Sequence, residues 1–122
     1  MYDIRFYKDK NGNQPVADYI RELRKKHDKD SRIKLNKIMD YINVLKEHGK
    51  QCGEPYIKHL QGEIWELRPQ RNRVLFVAWV DKGFNGFVLL HHFVKKTQKT
   101  PASEIDKAMR EYSEIKENGG IE

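Results

Sequence analysis

Apolar and polar positions alternate at the start of the chain. Tyr2, Ile4 and Phe6 are separated by Asp3 and Arg5, a two-residue period that predicts a strand. Asn11-Gly12-Asn13 then signals a turn, and Pro15 suits a helix first turn. Val16, Tyr19, Ile20 and Leu23 follow at helical spacing and predict a helix over residues 15–27. Asp28-Lys29-Asp30-Ser31 interrupts the pattern with N-cap residues. Leu35, Ile38, Met39, Ile42 and Leu45 make a second stripe, predicting a helix from Ser31 to His48 that stops at Gly49.

Beyond Gly49 the pattern becomes strand-like. Residues 51–55 read as a connector, and Tyr56–Gln61 fits either a short strand or an ordered loop. Ile64–Arg68, Arg73–Asp81 and Phe87–Lys95 predict three strands joined by turns at Pro69–Asn72 and Lys82–Gly86, hence an antiparallel meander. Near the end, Thr100 is a candidate N-cap with Pro101 in the first helical position. Glu104 and Asp106 favour the positive helix end, and Ile105, Ala108, Met109 and Tyr112 form the stripe. Asn118-Gly119-Gly120 reads as a frayed tail. The order β-α-α-β-β-β-α predicts one α+β domain over residues 1–122: an antiparallel sheet packed against two N-terminal helices, with a C-terminal helix.

Composition narrows the function classes. The longest apolar run, Val74–Val80, falls far short of the roughly 20 residues of a membrane helix, so no membrane partner is expected. Residues 1–10 are mixed and charged, unlike a signal peptide. The single cysteine, Cys52, excludes an internal disulfide framework and a CxxC-type zinc site, and points to a reduced, cytoplasmic setting. His27, His48 and His59 lack metal-ligand spacing, so no metal site is expected.

Charge changes the picture more. The 24 Lys and Arg exceed the 18 Asp and Glu, giving +6, which favours a polyanionic partner such as nucleic acid or an acidic protein. If both hairpin turns are symmetric, pleat parity places Arg68 opposite Arg73, Glu66 opposite Leu75 and Leu75 opposite His92. One face then gathers Glu66, Arg68, Arg73, His92 and Lys96. The other gathers Trp65, Leu67, Val74, Phe76, Ala78, Leu89, His91 and Phe93 as a core face. The cationic face turns apolar at its far end, where Val77, Trp79, Val88 and Leu90 form a patch that is open to a partner unless the last helix covers it. Arg71, Lys95 and Lys99 crowd the same strand ends, with Lys58 just upstream.

Such a cluster suits phosphate chemistry. RNA cleavage by a 2′-hydroxyl creates extra negative charge at phosphorus and requires a proton at the leaving 5′-oxygen. Arginine and lysine stabilise that charge. A histidine, a carboxylate or a lysine of lowered pKa can carry protons, and crowded cations lower a lysine pKa.

Lys58-x-Leu60, Ile64-Trp65-Glu66-Leu67-Arg68, Arg73 and the run Leu89-Leu90-His91-x-Phe93-x-Lys95-Lys96-Thr97-x-Lys99-Thr100-Pro101 together resemble the HigB-like branch of the RelE toxin superfamily. The resemblance extends to about Ile115. It implies the toxin of a type II toxin–antitoxin pair: a ribosome-dependent endoribonuclease that cuts mRNA without metal or other cofactor. It also implies neutralisation by a helix-turn-helix antitoxin, through which alone the toxin would meet DNA. By motif match, Arg73 with Lys95 or Lys96 would stabilise the transition state and Arg68 would be a second phosphate ligand. Lys58, Arg71 and Lys99 would position RNA. The motif points to His91, whereas pleat parity puts His92 on the cationic face; Glu66 and His92 complete the candidate catalytic set, with His91 kept as a structural residue. The alternative reading is a non-catalytic basic module that binds RNA or an acidic protein.

Overall fold

The computed structural model describes residues 1–120; the last two residues of the expected 1–122 domain lie outside the described residues. In chain order the elements are β1 (Asp3–Phe6), α1 (Pro15–Lys25), α2 (Lys29–His48), a 3-10 turn (Gly49–Cys52), β2 (Ile57–Gln61), β3 (Ile64–Leu67), β4 (Asn72–Asp81), β5 (Phe84–Val94) and α3 (Ala102–Glu117). The fold is α+β, as the hydrophobic pattern predicts. Tyr56–Gln61, which fitted strand or loop, supplies the extra strand β2. Asp28 caps α2, its carboxylate accepting the Ser31 N–H at 2.9 Å, and Gly49 ends that helix at a φ of 63°.

The strands form one sheet in the order β1-β5-β4-β3-β2. β2 to β5 are antiparallel neighbours, and β1 joins the outer side of β5 in parallel. The β4–β5 turn is tighter than predicted: Asp81 pairs with Phe84, leaving a two-residue Lys82-Gly83 loop with Gly83 at a φ of 84°.

Helices cover both faces. Val16, Ile20 and Leu23 of α1 and Ile38, Ile42 and Leu45 of α2 pack on Leu67, Val74, Phe76, Phe87 and Leu89. Ala108 and Ile115 of α3 pack on Ile64, Leu75, Val77, Val88 and Leu90. Burial on both sides explains the unbroken apolar stretch Val74–Val77 in β4, which a one-sided sheet would have alternated. It also corrects an expectation. Val77, Val88 and Leu90 are fully buried under α3, so no open apolar patch exists there. Trp79 alone stays half-exposed, edge-on to Tyr112 with ring centroids 6.2 Å apart.

Two further expectations change. Asn118–Gly120 is an ordered helix end, with the Gly120 N–H donating to the Ile115 carbonyl at 2.9 Å. Thr100 does not cap α3, whose N-cap residue is Pro101.

The parallel pairing of β1 depends on Gly86, which lies opposite Asp3. A Cβ at position 86 would come within 1.8 Å of the Asp3 carbonyl oxygen. Relief requires the backbone of β1 to move. Gly86→Ala is therefore expected to cost about 1–3 kcal/mol, the range for an overpacked site. Urea unfolding would show a lower midpoint, and the β1 amides would exchange faster; an unchanged midpoint would contradict the pairing.

Candidate active site

The cationic residues meet on the α3 face, at the end of the sheet where β4 begins and β5 stops. Glu66 of β3 lies between Lys58 of β2 and Leu75 of β4. Leu75 in turn lies opposite His91 of β5. One pleat further, Arg68 and Arg73 flank the β3–β4 turn.

That turn is shaped for the arginine. The Asn72 N–H donates to the Pro69 carbonyl at 3.0 Å, and Gln70 holds a φ of 58°. Positive φ in the first central position defines a primed turn and strains a residue other than glycine. The Arg73 side chain folds back onto it: Nη1 donates to the Gln70 carbonyl at 2.7 Å and to the Asn72 carbonyl at 2.8 Å. Arg73 thus locks the strained turn, and the turn locks the guanidinium.

Glu66 anchors the arrangement. It is only 2% exposed. Its Oε1 lies 3.6 Å from Arg68 Nε and 3.8 Å from Arg73 Nε. These are ion pairs longer than hydrogen bonds, and both buried Nε–H groups lack a hydrogen-bond partner among the described residues. Glu66 Oε2 accepts the Thr100 hydroxyl at 2.6 Å. Arg68 also pairs with the exposed Glu54 at 3.6 Å. Burial lowers the Arg73 proton affinity; Glu66 opposes that shift and Arg68 adds to it.

Lys95 follows β5, its backbone N–H donating to the Arg71 carbonyl at 2.8 Å. The Lys95 ammonium titrates below the ordinary lysine value. Lost hydration is the main cause; repulsion from Arg73, Arg68 and Lys58 adds to it and Glu66 opposes it. Arg71 Nη2 reaches the Lys95 carbonyl at 3.4 Å. Lys96 and Lys99 are exposed on the loop before α3, and Lys58 is exposed on β2. The structure thus brings Glu66, Arg68, Arg73 and Lys95 together, with Lys58 and Arg71 beside them. It leaves Lys96 and Lys99 on the surface without a contact to that group.

His92 is not part of the cluster. Leu75 pairs with His91, whereas Phe76 pairs with Leu89, so Leu90 is the extra residue of a β-bulge. The bulge reverses the parity of everything after it. His92 turns to the opposite face and stacks on Tyr19 of α1, with ring centroids 3.6 Å apart, and its Nε2 lies 3.3 Å from Asn72 Oδ1. His91 and Phe93 turn to the α3 face instead of the expected core face. His91 is enclosed there, with Nδ1 2.6 Å from Glu111 and Nε2 3.0 Å from Glu104.

Burial, with a smaller contribution from His91, pushes the His92 pKa down to about 4. Unfolded, this imidazole takes up its proton near about pH 6.5. The stability held by neutral His92 is therefore complete above about pH 6.5 and is lost as the pH falls toward about 4, by about 2–3 kcal/mol in all. His92→Phe keeps the stack on Tyr19 and removes the titration. Its unfolding free energy is expected to fall less steeply than wild type across that window, and identical slopes would contradict the assignment.

Three site features escaped the sequence reading: Thr100 as a partner of Glu66, the Gln70 carbonyl and the carboxylate pair on His91. The last had a signal. Glu111 shares a helix face with Ala108 and Ile115, and a carboxylate on an apolar stripe needs a buried partner. His91, set among core residues, is that partner.

Among the described residues no helix is long and apolar enough to cross a membrane. Residues 18–113, which include every residue of the cluster, match the family model described as phage-derived protein Gp49-like (DUF891). Comparison with curated proteins gives no match.

Proposed function

The chain belongs to the phage-derived Gp49-like family, a toxin-like family related to RelE and HigB toxins, and from that premise we propose that it is the toxin of a toxin–antitoxin pair that cleaves mRNA on the ribosome. One observation carries the nuclease reading: Arg68 and Arg73 flank one buried carboxylate beside a lysine of lowered proton affinity.

In this reading the 2′-hydroxyl of the nucleotide before the cut gives up its proton to solvent and attacks its own 3′-phosphate. The new O2′–P bond forms as the P–O5′ bond breaks, leaving a 2′,3′-cyclic phosphate and a 5′-hydroxyl. Arg73, held by the turn, and Arg68 offer fixed donors to the oxygens that gain charge. Lys95, its proton affinity lowered by lost hydration and then by the neighbouring cations, delivers a proton to the leaving 5′-oxygen. Glu66 keeps the two guanidiniums from spreading apart. Lys58, Arg71, Lys96 and Lys99 bind the RNA backbone. The mechanism takes no metal or cofactor, and a helix-turn-helix antitoxin is the partner that silences it.

Induced expression in a bacterial host, with mapping of mRNA 5′ ends, tests the reading. Growth arrest with new ends inside translated frames is expected. Arrest without new ends, or none at all, would overturn cleavage and favour a basic binding module, whose affinity would fall steeply with salt.

A further inference from the structure

We infer that Thr100 is a positioning residue for the arginine pair: its hydroxyl fixes the Glu66 carboxylate, which in turn aims Arg68 and Arg73. The inference rests on the nuclease reading for its effect on rate, but its geometry stands independently.

Thr100 stands in the position of a helix cap and does not act as one. Pro101 is the N-cap residue of α3, and no side-chain hydrogen bond caps that helix. The Thr100 hydroxyl goes instead to Glu66 Oε2 at 2.6 Å, bridging residues 34 apart in sequence. A short bond to a buried carboxylate is a charge-assisted one. It has a geometric effect as well. With Oε2 held by Thr100, Oε1 is left facing both Arg68 Nε and Arg73 Nε, and those contacts are the long, adjustable ones. Without the hydroxyl, the carboxylate is free to rotate toward one arginine and release the other.

Thr100 is itself held from both sides. Downstream, Glu104 and Glu111 of α3 grip His91, which fixes the start of the helix against β5. Upstream, the Lys95 backbone is tied to Arg71, and the Thr97 hydroxyl donates to the Lys99 carbonyl at 2.6 Å within the connecting loop. The loop that carries Lys95, Lys96 and Lys99 is therefore closed onto the arginine anchor by one side chain.

The test compares Thr100→Val, which removes the hydroxyl at nearly constant volume, with Thr100→Ser, which keeps it. If Thr100→Val does not fold, Thr100→Ala removes the same group. The first readout needs no activity: the Nε–Hε signals of Arg68 and Arg73 in 15N-arginine-labelled protein. Both are expected to shift or broaden in Thr100→Val and to return in Thr100→Ser, with the other arginines unchanged. The second readout is single-turnover cleavage of ribosome-bound mRNA. Thr100→Val is expected to lose about 10- to 100-fold in rate, the scale of a hydrogen bond to a charged group, with Thr100→Ser close to wild type. Unmoved arginine signals, a folded Thr100→Val that cleaves at the wild-type rate, or a Thr100→Ser as defective as Thr100→Val would each overturn the inference. If wild type itself cleaves nothing, the nuclease reading falls and the arginine signals alone decide the positioning role.

Discussion

Replacing Arg73 by alanine is expected to lower mRNA cleavage by at least about 10³-fold, the scale seen when a transition-state arginine is lost. Two effects combine. The reacting phosphate loses a fixed cation, and the Gln70 and Asn72 carbonyls lose the donor that closes the turn. The second effect also threatens the fold, because Arg73 is buried against Glu66. Removing one partner of a buried pair costs several kcal/mol, about 3 or more. Arg73→Lys separates the two effects. It retains a charge near Glu66 but has no planar fork to span the turn carbonyls and a phosphate at once. Circular dichroism is expected to show Arg73→Lys folded, while cleavage still falls by about 10²-fold or more. A folded Arg73→Lys with wild-type cleavage would remove Arg73 from the reaction.

Lys95→Ala is expected to produce the next largest loss, about 10²- to 10³-fold, within the range for proton transfer combined with charge stabilisation. Lys95 is tied to the sheet by its backbone, so its truncation leaves the fold intact. The pH profile gives a sharper test. A lysine that donates a proton must be protonated, so the rate falls as pH rises through its pKa. That pKa is lowered first by lost hydration and then by Arg73 and Arg68. Removing Arg68 takes away one repelling cation and raises it. In Arg68→Gln the alkaline fall in rate is therefore expected at higher pH than in wild type, whatever the loss in absolute rate. A fall at the same pH in both proteins would show that another group donates the proton.

The legible parts of this molecule are those whose residues constrain one another locally. The β3–β4 register follows from the short turn at Pro69–Asn72, and with it the pairing of Glu66 with Leu75. The charged ends of β3 and β4 and the alternation through Trp65 and Leu67 therefore place Arg68 and Arg73 together without reference to the rest of the fold. The β5 strand offered no such constraint. Val88, Leu89 and Leu90 are all buried, on alternating sides of a sheet covered on both faces, so their sequence carries no polar mark to reveal an inserted residue. The bulge at Leu90 exchanges the faces of His91 and His92 at the one point where the chemistry would have depended on them. Thr100 shows a different limit. Its place before Pro101 and an acidic first turn satisfies the local rules for a cap, and only the sheet's long-range closure brings Glu66 within reach of its hydroxyl. The covering of Val77, Val88 and Leu90 by α3 is likewise a matter of which face a helix returns to, which the apolar stripe of that helix does not encode.

The chemistry of the cut ends tests the central claim most directly. Purified protein would be incubated with ribosomes translating a defined mRNA, and the termini of the fragments determined. Attack by the 2′-hydroxyl under the arginine pair predicts 5′-hydroxyl ends matched by 2′,3′-cyclic phosphates, formed about 10²-fold or more slowly with Arg73→Lys. Fragments bearing 5′-phosphates, or an mRNA left intact by a folded and ribosome-bound protein, would contradict it.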